Sequence, residues 1–379
     1  MSSANKIVII GAGAAGLACA ISAAQQGADI TLVEKTARLG GTVAHSLIHT
    51  IGGLYDDAGD YINEGLPVQL AELLLRVNVH TRKRQMGKVW TLNVDPALYE
   101  AVVERWVAGK PNITVLRGAQ PTRMQTEGRQ VRQIEVIYGQ EKVLLQTDAL
   151  VDTTGSAAVV RMLDANKVVE GDALAGLIFQ IRGVAKDALR FPKNVGIQRN
   201  VQKAVNEGAL PTEFARMWFD IGVYEDEVYA KASLLATAYD VAVIPTLQSQ
   251  LVQFLQQLPD FSNAHIVRVG HLGVRDGGSI KGEYCLTLDD VKGGRRFADA
   301  VGRCAWPIEY WDPQKGVTLD YLPPGHSYEI PLQSLKVAGM KNLWTAGKSL
   351  SAEKLAQASA RMAGTCWAMG DALGKAITK

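Results

Sequence analysis

Three glycines carry the clearest chemical signal in this sequence. Gly11, Gly13 and Gly16 are spaced Gly-x-Gly-x-x-Gly, with Ala12, Ala14 and Ala15 between them. They follow the apolar run Lys6–Ile10 and open an alanine-rich segment, Leu17–Gln26, that reads as a helix ended by Gly27. A glycine turn alone is a weak signal. Set between a buried parallel strand and a helix, it is where the diphosphate of a dinucleotide binds. Gly11 permits the tight turn, Gly13 lets the backbone approach a phosphate, and Gly16 lets the helix pack closely on the sheet. The free N–H groups and positive dipole end of that helix, around Ala14 and Ala15, then face two phosphate charges. Glu34 lies 18 residues past Gly16, at the end of a second strand, Asp29–Val33. There its carboxylate can accept hydrogen bonds from ribose hydroxyls, and it repels a 2′-phosphate, which disfavours NADP.

Two later segments decide between NAD and FAD. The chain returns to the strand-and-turn style at Ala149–Asp152, followed by Thr153, Thr154 and Gly155, and again at Asn342–Gly347 before a small-residue helix from about Ala352 to Ile377. A second helix terminus beside the first suits an extended cofactor, and the flavin edge that gains negative charge on reduction favours a nearby dipole. The expected cofactor is FAD. No second Gly-x-Gly-x-x-Gly unit occurs mid-chain, so a built-in NAD(P)H domain is not expected.

A flavin brings its own electron chemistry and leaves the protein to orient substrate and manage protons. His45 and His49 follow the Gly40-Gly41 turn, and a histidine there could move protons near neutral pH. Arg275 could hold a substrate carboxylate through its two-pronged guanidinium, or pair with Asp276. Tyr284 could orient substrate. Arg361, on the C-terminal helix, would be costly to bury alone, which points to a cofactor or carboxylate contact. Trp306, Tyr310, Trp311 and Tyr321 read as core packing first and cavity lining second.

The elements that must position these residues divide the chain. The expected fold class is α/β: a Rossmann-type FAD-binding domain with a second, mixed α+β substrate domain. The first spans 1–165 and 323–379, with a small antiparallel meander at 122–147. The second spans 166–322, to which 55–92 can contribute. Helices are expected at Leu66–Arg76, from Asp95 to about Ala108, Thr212–Phe219 and Thr246–Leu258, with Arg82-Lys83-Arg84 as a solvated loop.

The bulk composition is that of a globular protein of about two domains. The chain has 379 residues, 47% hydrophobic and 21% charged, with a net charge of +2. No concentrated basic face is apparent for nucleic acid or a membrane surface, and no apolar run is long enough for a span. Neither a signal-type apolar region nor a close cysteine pair is present. Cys19, Cys285, Cys304 and Cys366 read as small buried residues in a reducing cytoplasm. No metal site is expected, and oligomeric state is not legible.

Gly11–Gly16, Glu34-Lys35, Leu39-Gly40-Gly41-Thr42, Asp152–Gly155 and Ala346–Gly374 together resemble the FAD-dependent oxidoreductases of the glutathione-reductase structural class, near the fumarate-reductase-like and tRNA-modifying flavoproteins. The resemblance implies that Gly11, Gly13 and Gly16 hold the pyrophosphate and that Glu34, with Lys35 beside it, meets the ribose. It places Gly40, Gly41 and Thr42 beside the pyrophosphate and flavin, Thr154 and Gly155 near the adenosine side, and Gly347 and the helix bearing Arg361 near the flavin. One stretch departs from the pattern. Val274–Lys281 keeps Arg275 but has glycine and serine where relatives carry further basic residues, so a relative's substrate does not transfer.

The expected function is oxidation of a small organic substrate, an amine, hydroxy acid or C–C bond, by hydride transfer to flavin N5, with electrons passed to oxygen or another acceptor. The alternative is a flavin monooxygenase using reduced flavin and oxygen. A tRNA- or folate-type modifying flavoprotein ranks below both, because it predicts an extended basic surface.

Overall fold

The structure is a computed structural model and describes residues 4–238 and 240–379. At its centre a five-stranded parallel sheet runs in the order Leu343–Thr345, Ala149–Asp152, Lys6–Ile10, Asp29–Glu34, Ile113–Arg117. The first strand is apolar at successive positions because both of its faces are covered. Ile7 and Ile9 enter one hydrophobic cluster with the helices, and Val8 and Ile10 enter another beneath the meander. That meander comprises Ala119–Glu127, Gln130–Tyr138 and Glu141–Gln146, paired antiparallel as expected.

The first helix, Ala14–Gln25, lies against the last, Ala363–Ala376. Small residues make this approach possible. A Cβ on Gly370 would stand 2.2 Å from the Ala15 carbonyl oxygen, and one on Gly374 would stand 2.7 Å from that of Cys19. The expected helix Ala352–Ile377 is in fact two, Lys354–Ala360 and Ala363–Ala376. Met362 is extended at the break, where the Gly364 amide donates to the Gly52 carbonyl instead of continuing the first helix.

The second domain is built on a four-stranded antiparallel sheet ordered Trp218–Ile221, Val228–Leu234, Ala175–Arg182, His265–Val269. Leu177, Phe179, Ile181, Ala230 and Ala232 face a separate core with the helices Lys193–Asn206 and Ile244–Leu255. Their alternates, Gln180, Tyr229, Lys231 and Asp220, lie on the opposite face and meet the first domain through His49, Arg84 and Asp95. The expected helix Thr212–Phe219 is replaced by a short 3-10 turn, Thr212–Phe214, and an edge strand, Trp218–Ile221. Phe219 packs in the core while Trp218 and Asp220 project the other way, a period of two and not 3.6. The basic run is likewise no loop. It opens the strand Arg82–Met86, paired with Val89–Asn93.

Candidate active site

The glycine turn is clamped by its neighbours before any ligand is considered. Gly11 has φ +105°, and a Cβ there would stand 2.5 Å from the Thr153 carbonyl oxygen. Thr153 Oγ1 donates to the Gly11 carbonyl at 2.6 Å. A Cβ on Gly16 would collide with that same Gly11 carbonyl at 1.9 Å. Gly13 differs. A Cβ there would meet only the Gly41 Cα, at 3.9 Å, so the space before Gly13 is kept free for something else.

The helix that starts there has no side-chain cap. Two other helix starts carry side-chain caps, with Asp95 accepting from the Ala97 amide and Thr287 closing a capping box with Asp290, whereas others, among them Lys193–Asn206 and Ile244–Leu255, carry none. An uncapped glycine-lined helix start, open in front, fits the diphosphate of a dinucleotide. Gly40 and Gly41 (φ +110° and +53°) bring a second uncapped turn against Gly13, with the exposed Thr42 next in line. Glu34 is buried. Its Oε2 accepts from the Ala12 amide at 2.8 Å and its Oε1 from the Thr36 amide and hydroxyl, so it sets the shape of the turn, while Lys35 is exposed.

On the other flank, Asp152 is buried under hydrogen bonds from the Thr154 amide and hydroxyl and from the Val159 and Val160 amides. It fixes the turn through Thr154 and Gly155. Gly155 packs on the Lys348 side chain. Gly347, at φ +90°, sits against Ala15 and Cys366, so the starts of the first and last helices meet at this turn.

Beyond that turn three cationic side chains converge, and the space they face is the candidate crevice. Lys348 Nζ donates to the Val274 carbonyl, and Arg275 Nη1 donates to the Leu174 carbonyl. Arg361 Nη2 donates to the Glu309 carbonyl at 3.1 Å. Gln357 Nε2 ties the two chain segments together, donating to the carbonyls of Lys348 at 2.9 Å and Arg275 at 3.4 Å. The Arg275 guanidinium stacks on Trp311, 4.0 Å from the ring centroid. The Glu309 carboxylate takes the indole N–H groups of Trp306 at 3.1 Å and Trp311 at 2.7 Å. Burial, with the charge of Arg361 adding, pushes Arg275 down to about 9 and Lys348 down to about 8.

A sequence model described as "FAD dependent oxidoreductase" matches residues 6–378. The chain belongs to that family. FAD is its cofactor, and the open glycine cradle before the first helix fits the cofactor's diphosphate.

Among solved structures, this FAD dependent oxidoreductase is similar to a geranylgeranyl bacteriochlorophyll reductase-like protein from Thermoplasma acidophilum. The identity is 10%, over 99% of this chain and 79% of that one, with a TM-score of 0.50. Flavin-dependent brominase Bmp2 is 12% identical over 99% of this chain and 79% of that one, with a TM-score of 0.47. The anhydrotetracycline hydroxylase OxyS from Streptomyces rimosus is 15% identical over 74% of this chain and 54% of its own, with a TM-score of 0.46. The first likeness is one of fold, and a substrate follows from none of them. No curated protein matches the sequence.

Within the oxidoreductase, the four residues expected to act on substrate separate. Arg275 lines the crevice, and its expected partner Asp276 instead accepts from the Asp172 and Ala173 amides at 3.0 and 2.9 Å. His45 lies 5.7 Å from His271, ring to ring. Burial, with the charges of His271 and Arg38 adding, lowers its pKa against the opposing pull of Glu34 and Glu100.

His49, expected to move protons near the flavin, is a buried residue at the interface with the second domain. It is fully buried, stacks on Tyr229 at 3.7 Å, and bonds Asp220 at 3.1 Å. Tyr284, expected to orient substrate, is engaged by its own neighbours. Its hydroxyl donates to Asp290 at 2.7 Å and accepts from Arg295, so it belongs to the helix-capping cluster of Asp290. Cys285 is exposed, against expectation, whereas the other three cysteines are buried. Trp306, Tyr310 and Trp311 are buried and Tyr321 is 37% exposed.

Lys348, Glu309 and Asp220 escaped the sequence reading. Lys348 follows the recognised Gly347. Glu309 stands between two tryptophans, a pattern whose meaning appears only once both indoles turn toward it. Asp220 directly follows a segment expected to be helical, Thr212–Phe219.

Proposed function

We propose that this FAD dependent oxidoreductase oxidises a small organic substrate bound in the crevice between the Gly347–Lys348 turn and the second domain. The supporting observation is the convergence of three segments there: the Gly347 turn at the start of the first helix, Arg361 at the break between the last two helices, and the loop bearing Val274 and Arg275. When bound, FAD supplies the two-electron acceptor for a hydride leaving a C–H or C–N centre. The residues of the chain orient and shield. Gln357 fixes the carbonyls of Arg275 and Lys348 relative to each other. Trp306 and Trp311, pinned by Glu309, form an apolar wall that keeps water from the crevice. Lys348 Nζ, brought to about 8, is the crevice group able to hold or release a proton near neutral pH.

The second reading is hydroxylation with reduced flavin and oxygen; one of the similar structures is named a hydroxylase. Anaerobic mixing of the yellow protein with amines and hydroxy acids separates the two. Bleaching by substrate alone supports oxidation. Bleaching only by NADH or supplied reduced flavin, followed by oxygen uptake, sinks that reading in favour of hydroxylation.

A further inference from the structure

We propose that the crevice selects an anionic substrate, a small carboxylate held by Arg275 and Arg361; this rests on the oxidoreductase reading and names its substrate class. Neither guanidinium nor Lys348 makes a salt bridge among the described residues. Each side chain bonds a backbone carbonyl and nothing else of opposite charge. A guanidinium has five N–H donors, so four remain on each arginine. The unbonded nitrogens, Nε and Nη2 of Arg275 and Nε and Nη1 of Arg361, are not among the sealed, partnerless polar atoms of the described residues, so they face accessible space. Elsewhere the protein pairs its half-buried cations: Arg84 and Lys231 with Asp220, and Arg268 with Asp95.

The nearby carboxylates do not fill this role. Glu309 is turned to the two indoles and Asp276 to the backbone of Asp172 and Ala173. Three cations without a direct ion pair, with Glu309 and Asp276 acting on them only from a distance, favour a ligand that brings negative charge into contact. The diphosphate of FAD is served by the amides of the first helix. Arg275 is stacked on Trp311, which in turn lies 6.1 Å from Trp218 of the second domain's edge strand. Two guanidinium forks close enough to oppose each other's charge suit the planar, two-oxygen geometry of a carboxylate.

The test is a titration of the FAD-loaded protein with acetate, succinate and benzoate, and with their neutral amides, followed in the visible flavin spectrum. Saturable perturbation by a carboxylate and none by its amide is expected. Arg275→Gln and Arg361→Gln each weaken it at least about tenfold while flavin content stays constant. Arg361→Lys, which keeps the charge and loses the fork, serves if the glutamine variant does not fold, and it too weakens binding. Equal response to acid and amide, or loss of flavin from the variants, overturns the proposal; the latter assigns the arginines to the cofactor. The two readings fail separately. Carboxylate binding with no substrate that bleaches the flavin sinks the oxidation and leaves the anion site. Bleaching by a neutral amine with no carboxylate response does the reverse.

Discussion

The Arg275 guanidinium lies 4.0 Å from the centroid of the Trp311 ring, and the same indole donates its N–H to Glu309 at 2.7 Å. One tryptophan thus orients the cation and holds the nearest glutamate away from it. Trp311→Leu removes both effects. A desolvated cation–π contact contributes about 1–2 kcal/mol, so carboxylate affinity falls roughly tenfold, and Trp311→Phe, which keeps a ring, recovers most of it. Spectral titration of the two variants checks this.

Gly13 and Gly11 respond oppositely to an added methyl group. Gly13→Ala meets nothing closer than 3.9 Å, so the chain folds with an unchanged melting temperature but purifies with little flavin. Gly11→Ala forces φ +105° on an alanine and drives its Cβ to 2.5 Å from a backbone oxygen. It destabilises the fold itself by about 1–3 kcal/mol. Flavin absorbance and thermal melts distinguish the two. A yellow Gly13→Ala protein contradicts the assignment of the cradle.

His49 makes stability fall on mild acidification. Burial and Lys231 push it down to about 4, against about 6.5 in an unfolded chain. The unfolded state therefore binds a proton that the native state refuses. This stabilising difference is complete above pH ~6.5 and is lost as pH falls toward 4, a loss of the order of 3 kcal/mol. Melts between pH 7 and pH 5 show the slope, and His49→Gln flattens it.

Asp220 anchors the interface between the domains. It binds Arg84 at 2.8 Å, His49 at 3.1 Å and Lys231 at 3.4 Å. Burial alone would raise its carboxyl, yet Lys231, His49 and Arg84 hold it well below the usual carboxylate range. Asp220→Ala strands two cations and costs about 3–5 kcal/mol. Denaturant melts measure it, and a change under 1 kcal/mol, the size of a surface pair, contradicts the placement.

Anion affinity at the crevice declines in alkali. Lys348, at about 8, adds its charge to the attraction for a carboxylate only while protonated, whereas the guanidinium of Arg275 stays charged. Affinity is highest below pH ~8 and falls as pH rises through 8, where an unperturbed lysine stays charged. Lys348→Met removes the decline.

The cofactor half of this protein is legible in its sequence because the signals are local. Gly11, Gly13, Gly16 and Glu34 fall within one strand–helix–strand unit, where turn, helix start and second strand end are fixed by neighbours in the chain. Asp95 as a cap and the three-stranded meander were readable for the same reason.

The crevice was not, and the reason is distance along the chain. Arg275 meets Trp311, Leu174 and Gln357, each more than 30 residues away. His49 sits close to Gly40 and Gly41 in sequence, yet the antiparallel sheet of the second domain places Tyr229 and Asp220 over it and seals it. The local order of residues therefore determined that a dinucleotide is bound and which amides face it. Only the packing of one domain on the other decided which cations were paired and which were left facing the crevice, because an ion pair depends on where side chains meet in space and not on their spacing along the chain.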